Sequence, residues 1–286
     1  MKYLSTLFLI LSMVITSCKN DNDQLPTATQ YRISFIHSDE TTQLFDYNSA
    51  GNIKEWHYLE TPTSQTIAYA SYNYDADGNS VKIDAEELHG DQKLIFDEVL
   101  SLNTDGTAKS AKGIAELFRV KDNSLVMKKK YSVVLSYNEL RQLESIDIEE
   151  RLISDKGDDS YPLKWNIDLV WSNNNIMECR EYSNSTSPLT VYEYTYYEGS
   201  GIDYIPIVQY PILRSYYTPL QYQGYFGMQS KDLVKKATVD NNYSIEYSFN
   251  ISTNSTNSIV EDYFEKSPSG KETKYTVGWE SSKIAK

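Results

Sequence analysis

Cysteine is nearly absent: the 286 residues include two, Cys18 and Cys179, and neither belongs to a Cys-x-x-Cys pair. A disulfide framework and a four-ligand zinc site are thereby excluded, so packing alone must hold the fold. Histidine is almost as scarce. His37, His57 and His89 stand isolated, and the chain lacks His-Glu-x-x-His, Gly-x-Ser-x-Gly and any phosphate-cradling glycine loop. No cofactor is expected. Basic residues are outnumbered, 27 against 40 acids, for a net charge of −13. A surface of that sign repels phosphate backbones, which argues against a nucleic-acid partner. Beyond residue 17 there is no long apolar run, and no window shows an extended helical stripe; Ser230 to Ala237 is the best short helical candidate.

Tyrosine is abundant, with 25 residues against 8 Phe. Its ring suits a surface apolar on one side and wet on the other, and it favours strands. Period-2 alternation recurs along the body of the chain. Leu163, Trp165, Ile167, Leu169 and Trp171 fall on one face while Lys164, Asn166 and Asp168 fall on the other. Val133, Leu135 and Tyr137 repeat the pattern, as do Tyr192, Tyr194 and Tyr196, and Ile245, Tyr247, Phe249 and Ile251. The class is all-β. A turn phrase repeats beneath this: a large apolar or aromatic residue, a polar turn, then an apolar residue. It begins at Tyr47, Tyr74, Leu102, Tyr137 and Trp171, with Gly51, Gly78 and Gly106 in the first three copies and no glycine in the last two. Gly and Asn supply the positive φ of tight turns. The spacing is that of an antiparallel meander of long hairpins, roughly a dozen or more strands between Tyr31 and Trp279. A sheet so wide curls or closes into a barrel to remove its edges.

The N-terminus carries an address. Lys2 precedes a mostly apolar run from Leu4 to Ile15, too short to span the roughly 30 Å hydrocarbon core as a helix, and Ile15-Thr16-Ser17-Cys18 follows. These four residues resemble the lipobox of bacterial lipoproteins. The resemblance implies cleavage before Cys18, acylation of Cys18 and a membrane anchor there, because more than one acyl chain gives a stable hold. The expected organisation is 1–17 signal peptide, 18–30 lipidated Cys and acidic tether, and 31–286 a single β domain. The tether, Lys19-Asn20-Asp21-Asn22-Asp23-Gln24, looks like that of Bacteroidetes surface lipoproteins. Lipobox, tether and Tyr-rich meander together resemble Bacteroidetes lipoproteins of unknown function with a porin-like fold, and the turn phrases resemble tyrosine-aspartate repeats. Tyr225-Phe226-Gly227-Met228-Gln229-Ser230-Lys231-Asp232-Leu233-Val234 is similar to a segment of that family. The resemblance implies a barrel and an outer-membrane address, facing the cell surface or the periplasm, and no assigned chemistry.

Lys128-Lys129-Lys130, Glu149-Glu150-Arg151 and Glu86-Glu87 interrupt any lipid-facing band, so a soluble barrel is expected, with the apolar face of each strand inside. The sharpest metal pattern is Asp75, Asp77, Asn79 and Glu86, the oxygen spacing of a calcium loop. Ser80 replaces its glycine, the flanks are strands and the segment is a copy of the turn repeat, so a hairpin turn is the plainer reading. Asp155-Lys156-Gly157-Asp158-Asp159 is either a solvated turn or a cation loop. Cys179 reads as a half-buried strand residue. The segment from Tyr204 to Phe226 breaks the hairpin rhythm. Tyr204, Tyr210, Tyr216, Tyr217, Tyr222, Tyr225 and Phe226 either bind a glycan or protein ligand or pack across the barrel mouth as a plug. A non-catalytic binding protein is expected. A polysaccharide hydrolase and a structural surface component are the alternatives.

Overall fold

The structure, a computed structural model, describes residues 29–153, 161–183, 187–200, 214–253 and 258–283. Arg32–Glu280 form one compact unit; Met1–Tyr31 with Ser281–Lys286 form another, of which residues 29–31 and 281–283 are described, as strand. Sixteen strands run in sequence: β1 Thr29–His37, β2 Thr41–Tyr47, β3 Ile53–Glu60, β4 Gln65–Tyr74, β5 Ser80–His89, β6 Gln92–Leu102, β7 Ala108–Arg119 and β8 Ser124–Tyr137. Then follow β9 Leu143–Leu152, β10 Leu163–Ser172, β11 Asn175–Ser183, β12 Thr190–Tyr197, β13 Leu233–Val239, β14 Tyr243–Thr253, β15 Ser258–Lys266 and β16 Glu272–Lys283. Each strand pairs with its chain neighbours, and β1 and β16 close the barrel. The meander expected from the turn phrases is thus complete and closed.

Side-chain alternation separates inside from outside. On β5, Val81, Ile83 and Ala85 are buried, whereas Lys82 and Asp84 lie on the outer face; there Lys82 meets Asp84 at 3.1 Å and, across the ladder, Asp97 at 3.7 Å. On β9 and β10, Ile146, Ile148 and Ile167 point inward, and Glu149, Arg151 and Lys164 form an outer ion-pair group. One expectation needs correction. The charged runs are not wholly external, because a strand turns alternate residues to opposite faces. Lys129, Glu150 and Glu87 point into the barrel, where Lys129 bonds Glu150 at 3.0 Å and Glu87 accepts a bond from Ser215. Residues 230–237, the helical candidate, instead lead into β13, whose ladder to β12 supplies the backbone bonds. The described helical residues are a 3-10 turn, Ser215–Tyr217, and α1, Thr218–Tyr222, with Pro219 at its start, where a missing N–H costs nothing.

All the repeated turns lie at one end of the barrel, since successive hairpins alternate ends. Gly51, Gly78 and Gly106 have φ of 89°, 69° and 84°; in the later copies Arg141, Asn173 and Asn174 adopt φ of 62°, 51° and 64°. The aromatic that opens the phrase has a second task. The ladder slips by one residue just before Tyr47, Tyr137, Trp171 and Tyr196. Each of these side chains donates to a carbonyl on the preceding strand: Tyr47 to Ile33 (2.7 Å), Tyr137 to Ala108 (2.8 Å), Trp171 Nε1 to Leu143 (2.7 Å), and Tyr196 to Ile176. Trp279 Nε1 does the same to Val260 at 2.7 Å. The bulge loosens the ladder to the following strand, and the aromatic donor ties the bulged strand to its other neighbour. Much of the tyrosine excess is therefore a construction device. Tyr137→Phe is expected to lower unfolding free energy by about 1 kcal/mol in chemical denaturation, whereas Tyr69→Phe, at a hydroxyl with no protein acceptor among the described residues, should leave it within error.

Candidate functional site

The segment from Arg214 to Asp232 enters the turn end of the barrel and is stitched to successive turns. The Gln223 side chain accepts from the Ile53 amide (2.9 Å) and donates to the Gly51 carbonyl (2.9 Å). The Tyr225 ring lies 6.2 Å from that of Tyr74, and the Tyr225 carbonyl accepts from the Ala108 amide at 2.6 Å. The amides of Met228 and Lys231 donate to the carbonyls of Arg141 and Asn174, both at 2.9 Å. Asp232 and Asn175 exchange two further bonds. Gly227, at φ 83°, passes so close to the Arg141 carbonyl and the Tyr137 ring that no side chain fits. The segment singled out by its resemblance thus lies against several of the repeated turns.

Its tip is anchored on a carboxylate. Glu98 is fully buried on β6, between Phe96 and Leu100, and accepts from Tyr217 (2.6 Å), Tyr131 (2.7 Å) and Tyr216 (3.1 Å). The Tyr72 hydroxyl donates to the Tyr216 carbonyl at 2.5 Å. Burial raises the Glu98 pKa above the usual carboxylate range; the three hydroxyls and the nearby Arg214 charge only partly oppose it. Gly113 leaves the room this needs, because a Cβ there would lie 2.7 Å from the Tyr131 hydroxyl. Arg214 follows the same surface, its guanidinium 5.0 Å from the Phe96 ring centre and 5.2 Å from that of Tyr131, with a 2.8 Å bond to Glu150.

Beside this layer is a cavity of about 310 Å³. Strands β8 to β11 contribute Tyr131, Glu150, Trp165, Ile167 and Glu181 to its lining, and the entering segment contributes Arg214 and Tyr217. Burial and the charge of Asp240 raise the Glu181 pKa.

Tyr216, Tyr217 and Phe226 are buried, and of the three Tyr217 borders the cavity. Tyr222 and Tyr225 are half-buried against the core, and Tyr222 packs on Phe45 at 5.9 Å. Tyr204 and Tyr210 lie outside the described residues, as does the 155–159 loop. Asp75, Asp77, Asn79 and Glu86 are not gathered. The Asp75 carboxylate accepts from the Asn79 amide (2.7 Å) and the Ser80 hydroxyl (3.0 Å) within the turn, while Glu86 sits well along β5 opposite Tyr69 and pairs with Lys93. Among the described residues no cluster of three metal-ligating side chains occurs. Cys179 is fully rather than half-buried, and burial drives its thiol pKa far up. The pairing of β11 with β10 and β12 leaves the thiol on the inner face.

No protein-family model matches the chain, and no curated protein matches it. Solved structures do. A porin-like protein from Bacteroides vulgatus aligns at 11% identity over 86% of this chain and 97% of its own, with a TM-score of 0.51. The fold is porin-like. A porin-like protein from Bacteroides uniformis aligns at 17% identity over 87% of this chain and 96% of its own, with a TM-score of 0.47. At such identities the likeness is one of fold. A barrel of 16 strands is wide enough for an aqueous channel, but in this porin-like barrel the Arg214–Asp232 segment and its Tyr–Glu98 hub occupy the turn end.

Glu98→Gln keeps the shape but puts an NH2 group among three hydroxyls that all donate to this position; it is expected to cost about 1–3 kcal/mol. The raised pKa fixes the sign with pH. Between the unfolded and folded Glu98 values the native state holds the extra proton, so wild-type stability falls as pH rises through that interval. The Gln variant lacks this contribution. The difference between the two proteins, read from parallel denaturant titrations, should therefore narrow as pH rises through that window and level off above it.

Proposed function

We propose that this protein is a non-catalytic, lipid-anchored barrel of the bacterial outer membrane that holds a small saccharide in its internal cavity rather than conducting solutes across the bilayer. The observation that carries this reading is the combination of a plugged lumen with an ionic outer wall. Outward rows such as Lys82–Asp84–Asp97 and Glu149–Arg151–Lys164 put charges where a membrane-spanning barrel needs an apolar band. Cys18 and its flanking residues supply the attachment such a soluble barrel requires, with the acidic tether favouring the cell-surface side.

The cavity supports binding. Its volume is near the lower end of ligand pockets, roughly 300–1,000 Å³. Its lining mixes aromatic rings with a few polar groups, the composition that suits a sugar's apolar faces and hydroxyls. It does not suit hydrolysis by a carboxylate pair. Hydrolysis of this kind needs two carboxyls free to act on the glycosidic bond, and of the two glutamates on the cavity wall Glu150 is held by two cations, Lys129 and Arg214.

Two measurements test the reading. Cys18→Ser should move the protein from the detergent-extracted membrane fraction to the soluble fraction and abolish acyl labelling; unchanged membrane retention would refute the anchor. In planar bilayers the purified protein should show no steady conductance.

A further inference from the structure

The charges lining the cavity are unevenly matched. Arg214 bonds Glu150 at 2.8 Å and Lys129 bonds the same carboxylate at 3.0 Å, so both cations are committed to Glu150. Glu181 has no such partner: among the described residues no Lys, Arg or His forms an ion pair with it, and the charge acting on it is that of Asp240, which repels. It is half-buried on the inner face of β11, one position along from the Arg180–Glu178 pair on the outer face. A carboxylate drawn from water with an acid for company is a poor arrangement for stability alone. It is a good one for a site whose occupant brings a positive charge.

The register places aromatic rings on both sides of it. Trp165 on β10 faces Ser183, and Glu181 faces Ile167, so Trp165 and Glu181 are diagonal neighbours on the inner face, with backbones roughly 7–8 Å apart. On the other flank Cys179 faces Tyr192 and Glu181 faces Thr190, which makes Tyr192 the opposite diagonal neighbour. Burial raises the Tyr192 pKa, and the Glu181 charge adds to it. Trp165 lines the same cavity as Glu181, and its indole N–H has no acceptor within the protein among the described residues.

We infer that the cavity takes a ligand bearing a free ammonium group, an amino sugar, with Glu181 as its counter-ion and the Trp165 ring as the face against which it lies. This rests on the saccharide reading above and specifies its class. An ammonium can bond a carboxylate and still lie within about 6 Å of a neighbouring ring centre, where the ring quadrupole attracts it. The Trp165 indole N–H, which has no acceptor among the described residues, is then available to a sugar hydroxyl. An N-acetylated or neutral sugar would cover the half-buried Glu181 without supplying a cation.

The test is an NMR titration of the intact protein in detergent, following the indole N–H signal that Trp165→Phe removes, with glucosamine, N-acetylglucosamine and glucose added in turn. Glucosamine should shift that signal and bind about tenfold or more tighter than the other two, and Glu181→Gln, checked for a native melting curve, should erase the preference. If the three sugars bind alike, or the preference survives Glu181→Gln, the ammonium inference falls while the saccharide reading stands. If none of the three moves the signal, the saccharide reading falls with it. Should Glu181→Gln fail to fold, the wild-type ratio of glucosamine to glucose decides alone.

Discussion

Burial of one carboxylate governs the turn end of this barrel. Glu98 stands on the inward phase of β6, where its neighbours Phe96 and Leu100 are apolar, and an ion there without partners would cost several kcal/mol. Its partners come from two places in the chain: Tyr131 from the barrel wall, and Tyr216 and Tyr217 from the segment that leaves the meander after β12. Docking that segment is thus the same event as satisfying Glu98. The rings that deliver the hydroxyls also fill space, since Tyr216 packs on Phe96 at 5.2 Å and Tyr217 on Phe226 at 5.3 Å. Arg214 follows over the same surface and fixes Glu150, which shapes one wall of the cavity.

The turn repeat and the plug are complementary devices. Each turn phrase leaves backbone groups at the rim that the barrel ladder does not pair, and unpaired groups must find partners when covered. The aromatic donors at the bulges bond carbonyls of the preceding strand. The plug satisfies others from above, through Gln223, Tyr225, Met228 and Lys231. A regular sequence repeat therefore meets an irregular segment at regular intervals, and the match holds the segment in register around the rim.

Most of the architecture was legible in the sequence because period-2 alternation and turn chemistry are local. The inner face of β10, from Leu163 to Trp171, could be read directly, and so could the turns, down to the glycine-free copies. Closure between β1 and β16 could not, since it joins residues far apart in the chain. The plug was legible as a break in rhythm, but which of its tyrosines were buried depended on Glu98, across the barrel. The residues that matter at the site share one signal: Glu87, Glu98, Glu150 and Glu181 each occupy the apolar phase of an otherwise alternating strand. A charge on that phase must find a partner inside. For Glu98 and Glu150 the partners are distant in sequence, which is why the signal marks a site without naming its geometry. Cys179 shows the same limit: its strand was evident, whereas the depth of its burial depended on what packs against it.

The most direct measurement of the plug's role is hydrogen exchange under native conditions at the amides of Ala108, Met228, Lys231 and Asp232, all of which join the plug to the rim. If the plug is part of the folded core, these amides should exchange only through global unfolding, with protection equal to that of the β5–β8 ladder. Protection well below that of the ladder would mean that the segment opens independently, and the claim that Glu98 and its tyrosines bind plug and barrel into one cooperative structure would be wrong.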